Sequence, residues 1–165
     1  MILSRDSNGA VLQTTRWAWL LATWLGCGYS KFAPGTAGAL GAVAVALPLS
    51  LAGASPQQIA ALSLVFLYPA IKAAGIVAKE SRKKDPQIVV IDEVLGQWLT
   101  LAGARHLDAT TFISAFILFR LFDIWKPFPI RRLENLPGGM GIVLDDMMAG
   151  IYGALVLFIM GWFNH

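Results

Sequence analysis

The chain has 165 residues, of which 56% are hydrophobic and 14% charged, with a formal net charge of +3 and a mean hydropathy of +0.62. Soluble domains usually carry about 25% charged residues, so this composition argues against water as the only solvent, and the small net charge gives no ground for a nucleic-acid partner. One cysteine, Cys27, excludes an intrachain disulfide framework and a cysteine-based zinc site.

The length suits one domain covering residues 1–165. Residues 1–13 are polar, with Arg5 and Asp6, and lead into no apolar run with a small-residue cleavage site, so no removable signal peptide is expected. Residues 12–26 predict a helix lying in or near the membrane interface, where Trp17, Trp19 and Trp24 suit the headgroup level. A glycine-rich entry follows over residues 26–36. Its backbone N–H groups can receive an anion at Gly35 and Thr36, or its glycines and Pro34 can simply bend the chain. Lys31 reads either as a phosphate contact or as a lysine snorkelling to the interface.

No charge occurs over residues 32–71, a run long enough for two membrane spans of ~20 residues each. The first is expected over residues 36–54, with Gly38 and Gly41 on a small-residue face for close helix contact. Ser55-Pro56 supplies a cap and an N1 proline for a return span over residues 57–78. That span ends in Lys79, Arg82, Lys83 and Lys84. Asp85-Pro86 can cap a third helix over residues 86–104, and a polar turn from Arg105 to Asp108 leads into a fourth over 108–125, which stops before Pro127. An irregular basic segment with Lys126, Arg131 and Arg132 is bounded by Pro127, Pro129 and Gly138-Gly139, and a last span covers residues 141–163. The expected fold is all-α: a polytopic membrane helix bundle of about four spans plus a short N-terminal interfacial helix. Basic residues gather at the 79–84 and 126–132 segments, which puts those segments on the cytoplasmic side and His165 outside.

This topology brings five acids to one side. Asp92 and Glu93 fall about two turns into the third helix, Asp123 about one turn before the end of the fourth, and Asp145 and Asp146 about one turn into the last. Single acids near helix starts are often only dipole partners, and adjacent Asp145 and Asp146 are not expected to face one direction. Arg120 and Lys126, each three residues from Asp123, can offset two charges. The remaining negative charge is a deficit that a divalent cation removes. Both histidines, His106 and His165, are expected on the far side, so the donor set is all oxygen, which suits Mg²⁺ over zinc.

Other phosphatase designs fail on the residues. Ala33 stands where a thiol phosphatase built on Cys27 needs its arginine, no Asp-x-Asp pair follows a strand, and no P-loop Lys-Ser/Thr motif occurs. Serine-triad chemistry lacks its histidine. What survives is a metal–carboxylate site at the membrane surface.

The segments 28–36, 91–98, 119–131 and 138–146, running on to Ala149-Gly150, resemble the phosphatidylglycerophosphatase A family in order and content, and the likeness extends from about residue 19 to about 160. The resemblance implies a helical enzyme of the bacterial inner membrane, multi-pass, that hydrolyses phosphatidylglycerophosphate to phosphatidylglycerol and phosphate with Mg²⁺. It implies an active site containing Asp92, Glu93, Asp123, Asp145 and Asp146, and all five are expected to serve as metal ligands. The expected mechanism is metal-assisted phosphomonoester hydrolysis. In it Arg120 and Lys126 stabilise the transferring phosphoryl group, Asp92 or Asp145 orients water, and a covalent aspartyl-phosphate route stays open. Arg131 and Arg132 are expected to meet anionic lipid headgroups. Competing readings are a phosphatase of another phospholipid headgroup, a non-catalytic lipid-binding subunit, and a small transporter using intramembrane carboxylates.

Overall fold

The computed structural model describes residues 15–163. The polar start of the chain, the proposed onset of the first helix at residue 12, and His165 lie outside the described residues. Those described form helices and turns, with no strand. In chain order they are α1 (Arg16–Ala22), a 3-10 turn (Cys27–Tyr29), α2 (Pro34–Leu51), α3 (Pro56–Ser81) and α4 (Ile91–Thr100). A second 3-10 turn (Leu101–Gly103), α5 (Ala109–Trp125), α6 (Ile130–Leu133) and α7 (Gly139–Phe163) complete the chain.

Three helices, α2, α3 and α7, are long and apolar enough to cross a membrane. Their outer faces, and that of α5, present large apolar side chains to the surroundings. On α5 these are Ile113, Ile117, Leu121 and Ile124; on α7 they are Ile151, Leu155, Phe158 and Trp162. Steps of three and four residues place each set on one helix face. Such stripes find their solvent in lipid rather than water.

Local chemistry sets the boundaries. Ser55 and Gln58 form a reciprocal capping box at the start of α3, with Pro56 in its first turn. Asp108 caps α5 by accepting from the Thr111 N–H at 2.7 Å. Arg82 closes α3 and Lys126 closes α5, both in the left-handed region at φ 54° and 46°.

Several expectations change. The first helix ends at Ala22 rather than at residue 26. Only Trp17 of the three tryptophans is exposed; the Trp19 indole N–H donates to Glu80 at 2.6 Å, and Trp24 packs edge-on to Trp98 at 5.3 Å. The third helix does not begin at Asp85-Pro86. It starts at Ile91 with no side-chain cap and runs for 10 residues. At 1.5 Å per residue it is about 15 Å long, too short to span. An indole anchors it: Trp98 is buried and donates to the Ala42 carbonyl at 3.0 Å. The opposite face of α4 lies against α7. A Cβ at Gly150 would reach 2.5 Å from the Gly96 carbonyl oxygen, and the Thr100 hydroxyl donates toward the Gly96 and Gly150 carbonyls at 2.9 and 3.3 Å. Only glycine allows that approach.

Candidate active site

The α4 start, the last turn of α5 and the second turn of α7 meet at one end of the bundle, beside the entry to α2. There they enclose a cavity of about 270 Å³. All five sequence-predicted acids line it, with Arg120, Lys126 and Gly35. Asp92 and Glu93 sit in the first turn of α4 rather than two turns in, because that helix begins later than expected. Asp145 and Asp146 lie nearly two turns into α7 rather than about one, because that helix begins at Gly139.

Asp92, Asp145 and Asp146 are buried. One oxygen each from Asp92, Glu93 and Asp146 lies within 4.8 Å of the others. Asp92 Oδ1, Glu93 Oε2 and Asp145 Oδ1 are buried without a hydrogen-bond partner. Orphaned buried oxygens are costly, and a hard cation among them satisfies several at once. The donors are oxygens only, the set that Mg²⁺, Ca²⁺ or Mn²⁺ prefers. These residues therefore fit a metal ion.

The cations are placed by neighbouring turns. Arg120 donates to Asp123 across one turn of α5 at 2.6 Å. Lys126 does not pair with Asp123. Its left-handed backbone sends the ammonium to Asp145 at 2.6 Å and Glu134 at 2.7 Å. Burial alone would pull that ammonium down, but the bonds to Asp145 and Glu134 outweigh it and hold the pKa above the ordinary lysine value. Asp145 and Asp146 both line the cavity despite being adjacent. Asp145 turns toward Lys126, and Asp146 joins Asp92 and Glu93.

Gly35 lets the chain pass close to the site's side chains. A Cβ there would collide with Glu93 Oε1 and approach the Arg120 guanidinium at 3.1 Å. The first turn of α2 thus presses backbone against the carboxylate. Thr36 and Lys31 are not among the residues lining the cavity, and Lys31 is exposed.

Three polar residues were missed in the sequence reading. Asp85, which the sequence suggests as a helix cap, lines the cavity. Glu134, in a segment read as merely irregular and basic, is the second partner of Lys126. Gln97, one turn beyond Glu93, is completely buried with both amide atoms unpartnered. A glutamine four residues from an acid on a short buried helix was the available signal.

The sequence model of the family described as phosphatidylglycerophosphatase A matches residues 20–161. A Haemophilus influenzae protein named phosphatidylglycerophosphatase A is 39% identical over 84% of this chain and 85% of its own length. One of the same name from Escherichia coli is 34% identical over 86% and 82%. A Bacteroides thetaiotaomicron protein, provisionally named a phosphatidylinositol-3-phosphatase, is 38% identical over 87% and 92%. No solved structure matches. With a family match across most of the chain, and with relatives of this identity and coverage, the chain belongs to the phosphatidylglycerophosphatase A family.

Proposed function

We propose that the protein is a Mg²⁺-dependent lipid phosphatase that hydrolyses phosphatidylglycerophosphate to phosphatidylglycerol and inorganic phosphate. The observation that carries this reading is the convergence of acids from three helices, with two cations, in one cavity at one end of an apolar bundle. Six carboxylates (the five predicted acids and Asp85) face Arg120 and Lys126 there. If every acid is ionised, a strong negative excess remains, which repels a phosphate unless a divalent cation stands between.

Asp92, Glu93 and Asp146 are the residues that would hold Mg²⁺. When bound, the ion supplies Lewis-acid polarisation of the phosphoryl group and a lowered pKa for water. Arg120, held in place by Asp123, faces the charge that develops on the phosphoryl oxygens. Lys126 fixes Asp145 through one carboxylate oxygen and leaves the other free to orient an attacking water. Gly35 keeps the wall of the cavity thin, so a phosphate can approach Glu93 and Arg120 closely.

The apolar outer faces keep the acyl chains of the substrate in the bilayer while the headgroup bends into the cavity. Lys84 lines a depression together with Asp145, and Arg131 and Arg132 line one together with Lys126; with Lys79, Arg82 and Lys83 at the end of α3, these basic residues support a cytoplasmic active site in the bacterial inner membrane.

A second headgroup has a specific observation behind it, the name of the Bacteroides relative. The test is phosphate release from phosphatidylglycerophosphate and from phosphatidylinositol 3-phosphate under identical conditions. The proposal expects a kcat/KM at least about 100-fold higher for the former, a margin of roughly 2.7 kcal/mol. A preference for the inositol lipid would retain the phosphatase and replace the substrate.

A further inference from the structure

Beside the acid cavity lies a second, larger depression of about 710 Å³ with a different chemistry. Its walls come from the end of α5, the segment that follows and α6, and its lining includes Trp125, Lys126, Phe128, Arg131 and Arg132 but no acid. Lys126 lines both depressions.

The segment is held in shape. The Tyr152 hydroxyl of α7 donates to the Phe128 carbonyl at 3.0 Å. The Arg132 guanidinium lies over the Phe128 ring at 4.7 Å, which orients it without neutralising it. Neither Arg131 nor Arg132 forms an ion pair among the described residues, and both are exposed. Trp125 and Phe128, 64% and 70% exposed, flank them. An amphipathic indole and an apolar ring beside arginines without ion pairs match the level at which a lipid passes from glycerol backbone to phosphate. The exposed stripe of α5, ending at Ile124, leads directly into this groove.

We propose that this groove is the subsite for the phosphodiester of a glycerophospholipid whose terminal phosphomonoester enters the acid cavity. The inference rests on the phospholipid-phosphatase reading above and adds how the two phosphates of one substrate are told apart. A diester carries one negative charge and pairs directly with arginine forks. A monoester carries close to two and suits a cavity where a divalent cation mediates. Charge is divided accordingly: cations without acids in the groove, an excess of acids in the cavity. Every headgroup phosphomonoester built on a phosphodiester shares this pattern, whereas phosphatidic acid lacks the diester.

The test uses dihexanoyl phosphatidylglycerol, which has the diester and lacks the monoester, below its micelle concentration. Its binding to the full-length protein in neutral detergent is measured by calorimetry, beside a dihexanoylglycerol control. Saturable binding should weaken about tenfold or more in Arg131→Gln and Arg132→Gln, and Asp92→Asn should leave it intact. Turnover of phosphatidylglycerophosphate by the same arginine variants should lose through KM with kcat little changed. Unchanged affinity in the double variant overturns the proposal. So does a loss seen only with anionic vesicles and not with the monomeric lipid, which would make the arginines a general surface attraction. Arginine-dependent binding in a protein that hydrolyses no phospholipid would retain the groove and discard the phosphatase. Hydrolysis with normal KM in the double variant would do the reverse.

Discussion

Lys126 reaches past Asp123, its near neighbour in sequence, to bind Asp145 nineteen residues away at 2.6 Å. This contact ties the end of α5 to the second turn of α7 across the cavity, and Glu134 completes it from the intervening segment. Removing the ammonium in Lys126→Met leaves a buried carboxylate without its cation. The cost should be about 2 kcal/mol of stability, read as a lower melting temperature in detergent, together with a large loss of turnover. Because the folded-state pKa of Lys126 lies above the ordinary lysine value, its contribution is complete below that ordinary value. It is lost only as pH rises through the folded value, so the parent's melting temperature should show no decline from loss of the Lys126 charge between pH 6 and 9.

Gly35→Ala should separate folding from chemistry. The added methyl meets the far end of the Glu93 side chain, which can swing away while the backbone stays. The variant should therefore fold, with a melting temperature near that of the parent, and lose about tenfold or more in kcat as Glu93 is displaced. A variant with full activity would mean that the Glu93 position is not critical.

Gly150→Ala should do the opposite. Its methyl meets backbone, the Gly96 carbonyl, so α4 and α7 must part. A loss of about 1–3 kcal/mol is expected for such overpacking, measured by thermal or denaturant unfolding. Glu93 and Asp146 move apart with those helices, so activity should fall in step with stability.

Asp108 gives a pH-dependent stability term far from the chemistry. Hydrogen bonds from Thr111 hold its carboxyl below the ordinary value. A depressed acid stabilises the folded state above its unfolded pKa and loses that contribution as pH falls through the folded one. Asp108→Ala should lower the melting temperature at pH 7, and the gap should narrow as the pH drops below about 4. Turnover at neutral pH should be unchanged.

Much of this arrangement was legible in the sequence, and the failures have physical causes. The long uncharged run and its capped turn at Ser55-Pro56 gave α2 and α3 to within a few residues, because length and capping are local signals. The five acids were recognisable as a group because charge in apolar helices is costly and stands out. Asp85 was misread because Asp-Pro is a common helix start, and nothing local reveals that five further residues stay non-helical. The sequence extends α4 to residues 86–104 because apolar residues fill a buried helix as readily as a membrane one. Whether Lys126 would choose Asp123 or Asp145 depended on a left-handed residue at the end of α5, which spacing alone does not show. Trp24 looked interfacial on its own; its place in the core depends on Trp98, more than seventy residues away.

The most direct test of the account is inorganic phosphate released from phosphatidylglycerophosphate by the purified protein, before and after removal of divalent cations. The parent should turn over with Mg²⁺, stop after chelation and recover when Mg²⁺ is returned, while folded Asp92→Asn and Asp146→Asn stay inactive throughout. Undiminished release after chelation, or full activity in both variants, would contradict a metal held by these carboxylates.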